Sequence, residues 1–169
     1  MTYSKITTIE SYLPENILTN DMISEEFPAW NSDKIEEKIG VIQRHVVAQD
    51  ETSLDLAVKA GTKALANYDK DKIGFVILCT QSPEYILPTT ACILQSKLGL
   101  SKNVGAFDYN LGCSGYIYGL AMAKSLIMGN MSKSVLLITS ETYTKRINKL
   151  DFANRSIFGD AATATIVEI

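Results

Sequence analysis

The sequence predicts an α/β protein, a mostly parallel β-sheet covered by helices. Apolar runs of strand length alternate along the chain with segments of helical periodicity. The run Phe75-Val76-Ile77-Leu78-Cys79 is continuous, the pattern of a strand covered on both faces. The segment Tyr116 to Ile127 is apolar on nearly every side, as a central rather than a peripheral helix is.

The elements follow in order. Lys5 to Ser11 alternates as a first strand and Pro14 closes it. Thr19 to Phe27 and Ser32 to Ile39 read as short surface helices, the second with Asp33 and Glu36 spaced as in a capping arrangement. Val41 to Val47 is a short strand. Thr52-Ser53-Leu54-Asp55 opens a helix whose stripe of Leu54, Val58 and Leu65 runs to about Asn67. The continuous strand Phe75–Cys79 comes next. Pro88 lets a helix start near Thr89, and Gly99 stops it after Leu98. Val104 to Tyr109 is a strand, and a long helix runs from about Ser114 to Met128 until Gly129-Asn130. Strands at Ser134–Ser140 and Ala162–Glu168 complete the pattern. No repeat or Gly/Ser/Pro linker divides residues 1–169, so one domain is expected.

Composition narrows the function. A 169-residue chain with 46% hydrophobic residues can bury a substantial core. A net charge of -3 gives no basic stripe for nucleic acid or an anionic membrane. The opening Met1 to Thr8 holds no apolar run of signal-peptide type, and Tyr116 to Met128 is too short to cross roughly 30 Å of hydrocarbon. A soluble, cytoplasmic protein is expected. The three cysteines, Cys79, Cys92 and Cys113, are widely spaced, and His45 is the only histidine. Metal and disulfide readings therefore lack partners, which leaves buried thiols or a reactive one.

The informative stretch is Phe107 to Tyr116, where a strand runs into a turn flanked by Gly112 and Gly115 and a helix begins at once. Cys113 thus falls at a helix N-terminus, where unsatisfied amides stabilise a thiolate. The glycines permit a sharp turn and close substrate approach. The Cys113 amide is placed to donate to an oxyanion at an attacked carbonyl. Local context alone is equally compatible with a merely buried thiol. Cys79, within an apolar strand, and Cys92, on a helix's apolar side, read as core residues.

Several ordered stretches resemble the N-terminal half of the β-ketoacyl-acyl-carrier-protein synthase III family, of the thiolase-like superfamily. They are Ser11-Tyr12-Leu13-Pro14-Glu15, Gly40-Val41-Ile42-Gln43-Arg44-His45, Leu87-Pro88-Thr89-Thr90-Ala91-Cys92, the turn at Cys113, and Ile157-Phe158-Gly159-Asp160-Ala161-Ala162. The resemblance implies a thiolase-like half, a five-stranded mixed sheet with helices on both faces, from a five-layered fold of two similar halves. It implies Cys113 as the nucleophile that takes an acyl group from acyl-coenzyme A or acyl carrier protein. Malonyl-acyl carrier protein then loses carbon dioxide and its carbanion attacks the thioester. No cofactor is implied, coenzyme A entering only as a substrate thioester.

The family's decarboxylating histidine and asparagine lie in the second half, so the resemblance implies a fragment unable to condense alone. His45 matches an early Arg-His pair, a structural position. Leu87 matches an apolar side chain inserted into the partner's acyl pocket, which implies a homodimer. Lys38 falls where the family places a basic residue near coenzyme A phosphates. The family's adenine-stacking tryptophan would fall on Lys34, and Trp30 lies four residues earlier. With Gly112 beside the nucleophile, these complete the candidate site. Asp160 reads as a turn residue bonding its own backbone, and Arg44 and Arg155 as ion-pair formers. Other readings are a ketosynthase priming a polyketide, quinolone or hydroxymethylglutaryl pathway, a thioester hydrolase, and a non-catalytic dimerisation half-domain.

Overall fold

The computed structural model describes residues 3–169. Met1 and Thr2, the start of the segment read for a leader, lie outside the described residues. Among the described residues, seven strands and six α-helices follow one another as β1 (Lys5–Tyr12), β2 (Asn16–Thr19), α1 (Asn20–Glu26), α2 (Ser32–Ile39), β3 (Gln43–Val46), α3 (Ser53–Leu65), β4 (Phe75–Cys79), α4 (Thr90–Lys97), β5 (Gly105–Tyr109), α5 (Gly115–Met128), β6 (Ser134–Glu141), α6 (Phe152–Arg155) and β7 (Ala161–Glu168). The main sheet has five strands in the order β1-β7-β6-β4-β5. β4 runs parallel to β5 and β6, whereas β7 is antiparallel to both β6 and β1. The mostly parallel expectation thus gives way to a mixed sheet, as the family resemblance implied.

The two faces sort by strand periodicity. Val76 and Leu78 of β4, with Leu136 and Ile138 of β6, point to the layer built by α3 and α4. Ile77, Val135 and Leu137 point to the opposite face and meet Ala123 and Ile127 of α5. That face is where the sequence reading is corrected. Only Gly115, Gly119, Ala123 and Ile127 of α5 are buried, a single i, i+4 stripe. Ile117, Tyr118 and Met128 are exposed. The helix is apolar all round but covered on one side only.

Caps explain the helix starts. Thr52 and Asp55 form the expected capping box of α3. In α2 the cap is Asn31, whose side chain accepts from the Lys34 amide, and not the Asp33/Glu36 pair. No side chain of its own segment caps α4; instead Asp108 of β5 accepts from the amides of Thr90 at 2.7 Å and Ala91 at 2.6 Å. A strand residue thereby fixes a helix across a parallel βαβ unit. Asp108→Ala leaves both amides without that acceptor, and loss of about 1–3 kcal/mol is expected in denaturant unfolding. β2, which pairs with β3 antiparallel, and the four-residue α6 are additions to the sequence reading.

Candidate active site

β5 ends at Tyr109, and the chain turns through residues 110–114 before α5 starts at Gly115. The Gly115 amide donates to the Gly112 carbonyl at 2.8 Å, closing a turn with Cys113 at its corner. Cys113 is exposed and stands just ahead of the N-cap, Ser114, whose side chain makes no capping bond. Among the described residues, the Cys113 amide donates to no protein acceptor. Both features leave the end of α5 open toward solvent.

The turn is seated on a buried sulfur. Cys79, at the end of β4, donates from Sγ to the Leu111 carbonyl at 3.3 Å. A Cβ added at Gly115 would stand 2.5 Å from that sulfur. The Tyr109 hydroxyl donates to the Gly115 carbonyl at 2.6 Å. Burial pushes both the Cys79 thiol and the Tyr109 phenol up from their ordinary values.

Beside the turn lies a cavity of about 530 Å³ bounded by Cys113, Gly112, Leu111, Cys79, Tyr116, Thr139, Tyr143 and Phe158, with Gln81, Glu141 and Gly159. Glu141 was not singled out from the sequence. It ends β6, accepts from the Gln81 amide at 2.5 Å and from Ser82 Oγ at 2.7 Å, and burial pushes its carboxyl up. Its position at the carboxyl end of an apolar parallel strand, where α/β sheets place their sites, is the signal that could have found it. A carboxyl whose folded value exceeds its unfolded one contributes stability at low pH and loses it as pH rises through the folded value. Thermal melts from about pH 4.5 upward should therefore show wild type losing stability relative to Glu141→Gln; parallel profiles would contradict this.

The other candidates stand apart from Cys113. Leu87, 84% exposed, sits with Tyr85 and Ile86 on the loop between β4 and α4 and does not line the cavity. Lys38 lies on the last turn of α2 with Nζ 5.0 Å from the Trp30 ring centroid. Trp30 stacks on Phe152 at 4.5 Å and 17°. Trp30, four residues ahead of the position the resemblance indicates, is thus brought beside Lys38 by the fold, and Lys34 and Lys38 are both exposed.

His45 Nδ1 lies 2.6 Å from the Pro14 carbonyl, held by backbone. Asp160 is buried and bonds other segments rather than its own turn, accepting from the Val47 amide at 2.9 Å and the Thr144 amide at 3.0 Å. Arg155 forms the expected ion pair, with Glu26. Arg44 does not. It is buried against the Ser156 carbonyl and the Asn20 side chain, and desolvation lowers its pKa. Cys92 is exposed, not a core residue, because α4 turns that position outward.

A mixed five-stranded sheet with helices on both faces, carrying an exposed cysteine on a strand-turn-helix connection, has the architecture of a thiolase-like half. A family model described as 3-oxoacyl-[acyl-carrier-protein (ACP)] synthase III matches residues 107–169. The chain is 38% identical over 168 residues to β-ketoacyl-[acyl-carrier-protein] synthase III of Xanthomonas campestris, covering 98% of this chain and 51% of that protein. A crystal structure of a 3-oxoacyl-(acyl-carrier-protein) synthase III superposes with a TM-score of 0.96 at 46% identity, over 98% of this chain and 50% of that one. The priming β-ketosynthase of the R1128 polyketide pathway superposes at 0.88 with 27% identity, over 98% and 50%. The chain is therefore a match to the N-terminal half of 3-oxoacyl-acyl-carrier-protein synthase III. It spans about half the length of the curated relatives it matches. No helix among the described residues is long and apolar enough to cross a membrane.

Proposed function

We propose that this chain is the nucleophile-bearing half of a type III ketoacyl synthase that starts fatty-acid chains in the cytoplasm. Cys113 attacks the carbonyl of an acyl thioester; its sulfur forms the new thioester bond, and coenzyme A or carrier-protein thiol leaves with the proton. The observation that carries the reading is an exposed Cys113 at an open helix start beside a largely apolar cavity. The free Cys113 amide serves as one oxyanion donor, and Gly112 lets the thioester approach. The cavity is the seat of the acyl chain.

The second step, in which malonyl-acyl carrier protein loses carbon dioxide and the carbanion displaces Cys113, requires groups beyond this chain. The only histidine, His45, is held at Pro14. A complementary half would supply them and cover the exposed face of α5, where Ile117 and Tyr118 stand open. In the assembled homodimer Leu87 reaches the partner's acyl pocket, and Lys38 beside Trp30 meets coenzyme A phosphates as a point charge. Leu87→Ala and Leu87→Phe should shift the preferred acyl length in opposite directions once both halves are present. An unchanged chain-length profile would remove Leu87 from the pocket. Kinship with a polyketide-priming ketosynthase supports a specialised pathway as the second reading. Incubated with acyl-coenzyme A and malonyl-acyl carrier protein, the purified chain should form an acyl-enzyme but no ketoacyl product. Steady ketoacyl formation by this chain alone would overturn the division of labour.

A further inference from the structure

We infer that Cys79 is a resolving thiol for Cys113, so that oxidation links the two in a reversible disulfide that switches acyl transfer off. The inference rests on Cys113 being the reactive thiol, as proposed above. Its own support is where the second sulfur lies. Cys79 Sγ bonds the carbonyl of Leu111, two residues before Cys113, and lies against Gly115, two residues after it. The sulfur thus sits directly beneath the turn whose corner is Cys113, and both cysteines border the same cavity. With no side chain at Gly115, where a Cβ would stand 2.5 Å from the Cys79 sulfur, nothing at that position of the turn covers the thiol. No role in acyl transfer requires a thiol at the end of β4.

The two sulfurs differ in access, which sets their order of reaction. Cys113 is exposed and meets an oxidant first; Cys79 is buried, and burial holds it as the thiol. With a peroxide as oxidant, Cys113 sulfur takes one oxygen, giving a sulfenic acid and releasing water or alcohol. Cys79 sulfur then attacks that sulfur and expels water. Two thiols are oxidised, one peroxide bond is reduced, and a dithiol reverses the link. The link consumes the nucleophile and also shields it from irreversible sulfinic oxidation. Cys92, exposed on α4 with its sulfur near the Thr89 hydroxyl, is the control.

The test is to treat the full chain with hydrogen peroxide, block free thiols, digest without reductant and map cysteine peptides by mass spectrometry. The expected product is a Cys79–Cys113 linked peptide lighter by two hydrogens, with Cys113 acylation lost and then regained on adding dithiothreitol. Cys92→Ser should behave alike, whereas Cys79→Ser should accumulate roughly tenfold more Cys113 sulfinic acid and fail to recover. Oxidised Cys113 with Cys79 still free in wild type would overturn the inference, a result that needs no variant to fold. Links through Cys92 instead would overturn it equally. If untreated Cys113 takes acyl groups normally and no link forms, only the switch fails; if untreated Cys113 takes none, the acyl-transfer reading fails.

Discussion

Cys113→Ala should abolish acylation of the chain by acyl-coenzyme A, a fall of about a thousandfold or more in the labelling rate. No neighbouring group can substitute. Cys79 is buried with its thiol pushed up, and Cys92 stands away from the cavity. Serine at 113 should fare little better, because an alcohol at this site has no histidine beside it to remove its proton. The fold should be indifferent. Cys113 is exposed, so the variant's stability should stay within about 0.5 kcal/mol of wild type. Stopped-flow or gel-based labelling with a radioactive primer measures the rate, and a thermal melt verifies the fold. An alanine variant that still acquires label at wild-type rate would move the chemistry elsewhere.

Gly119→Val should be strongly destabilising. A Cβ there would stand 2.5 Å from Leu137 Cδ1 and 2.5 Å from the Tyr109 hydroxyl. Neither neighbour yields cheaply. Leu137 is buried in the sheet, and the Tyr109 hydroxyl is committed to the Gly115 carbonyl at the start of α5. Glycine costs a helix about 1 kcal/mol relative to alanine, so some gain in propensity offsets the clash. Overpacking of a close-packed layer costs more, and a net loss of about 3 kcal/mol, or roughly 6–12 °C in Tm, is expected. Ala121→Val, on the exposed side of the same helix, should leave the melting temperature of this chain nearly unchanged. Equal effects at the two positions would contradict the one-sided packing of α5.

That one-sidedness marks the limit of what the sequence conveyed. Strand β4 was legible to the residue, because a run such as Phe75–Cys79 has no helical alternative bounded so closely by turn signals. The α3 capping box was legible for the same reason, its two partners being local. Features built from distant residues were not. The cap on α4 comes from Asp108, eighteen residues from Thr90, and no local pattern encodes it. The antiparallel placement of β7 between β1 and β6 depends on tertiary pairing, which periodicity cannot report. In α5, the apolar pattern runs all round the helix, whereas the fold buries only one face of it.

The site divides similarly. The turn at Cys113 was legible because its glycines, thiol and helix start are contiguous. Glu141 and the sulfur of Cys79 were not, since only the parallel pairing of β4 with β5 and β6 brings three strand ends together. Asp160 shows the converse error. Its turn-like sequence suggested a local bond, yet the carboxylate ties the segments at Val47 and Thr144.

The central claim, that a helix start holds Cys113 ready to receive an acyl group, is tested most directly by peptide mapping after brief exposure to acyl-coenzyme A. The acyl mass should appear on the peptide carrying Cys113 and be released by neutral hydroxylamine, with the Cys79 and Cys92 peptides unmodified. Acyl groups on Cys92, or on none of the three, would contradict the account.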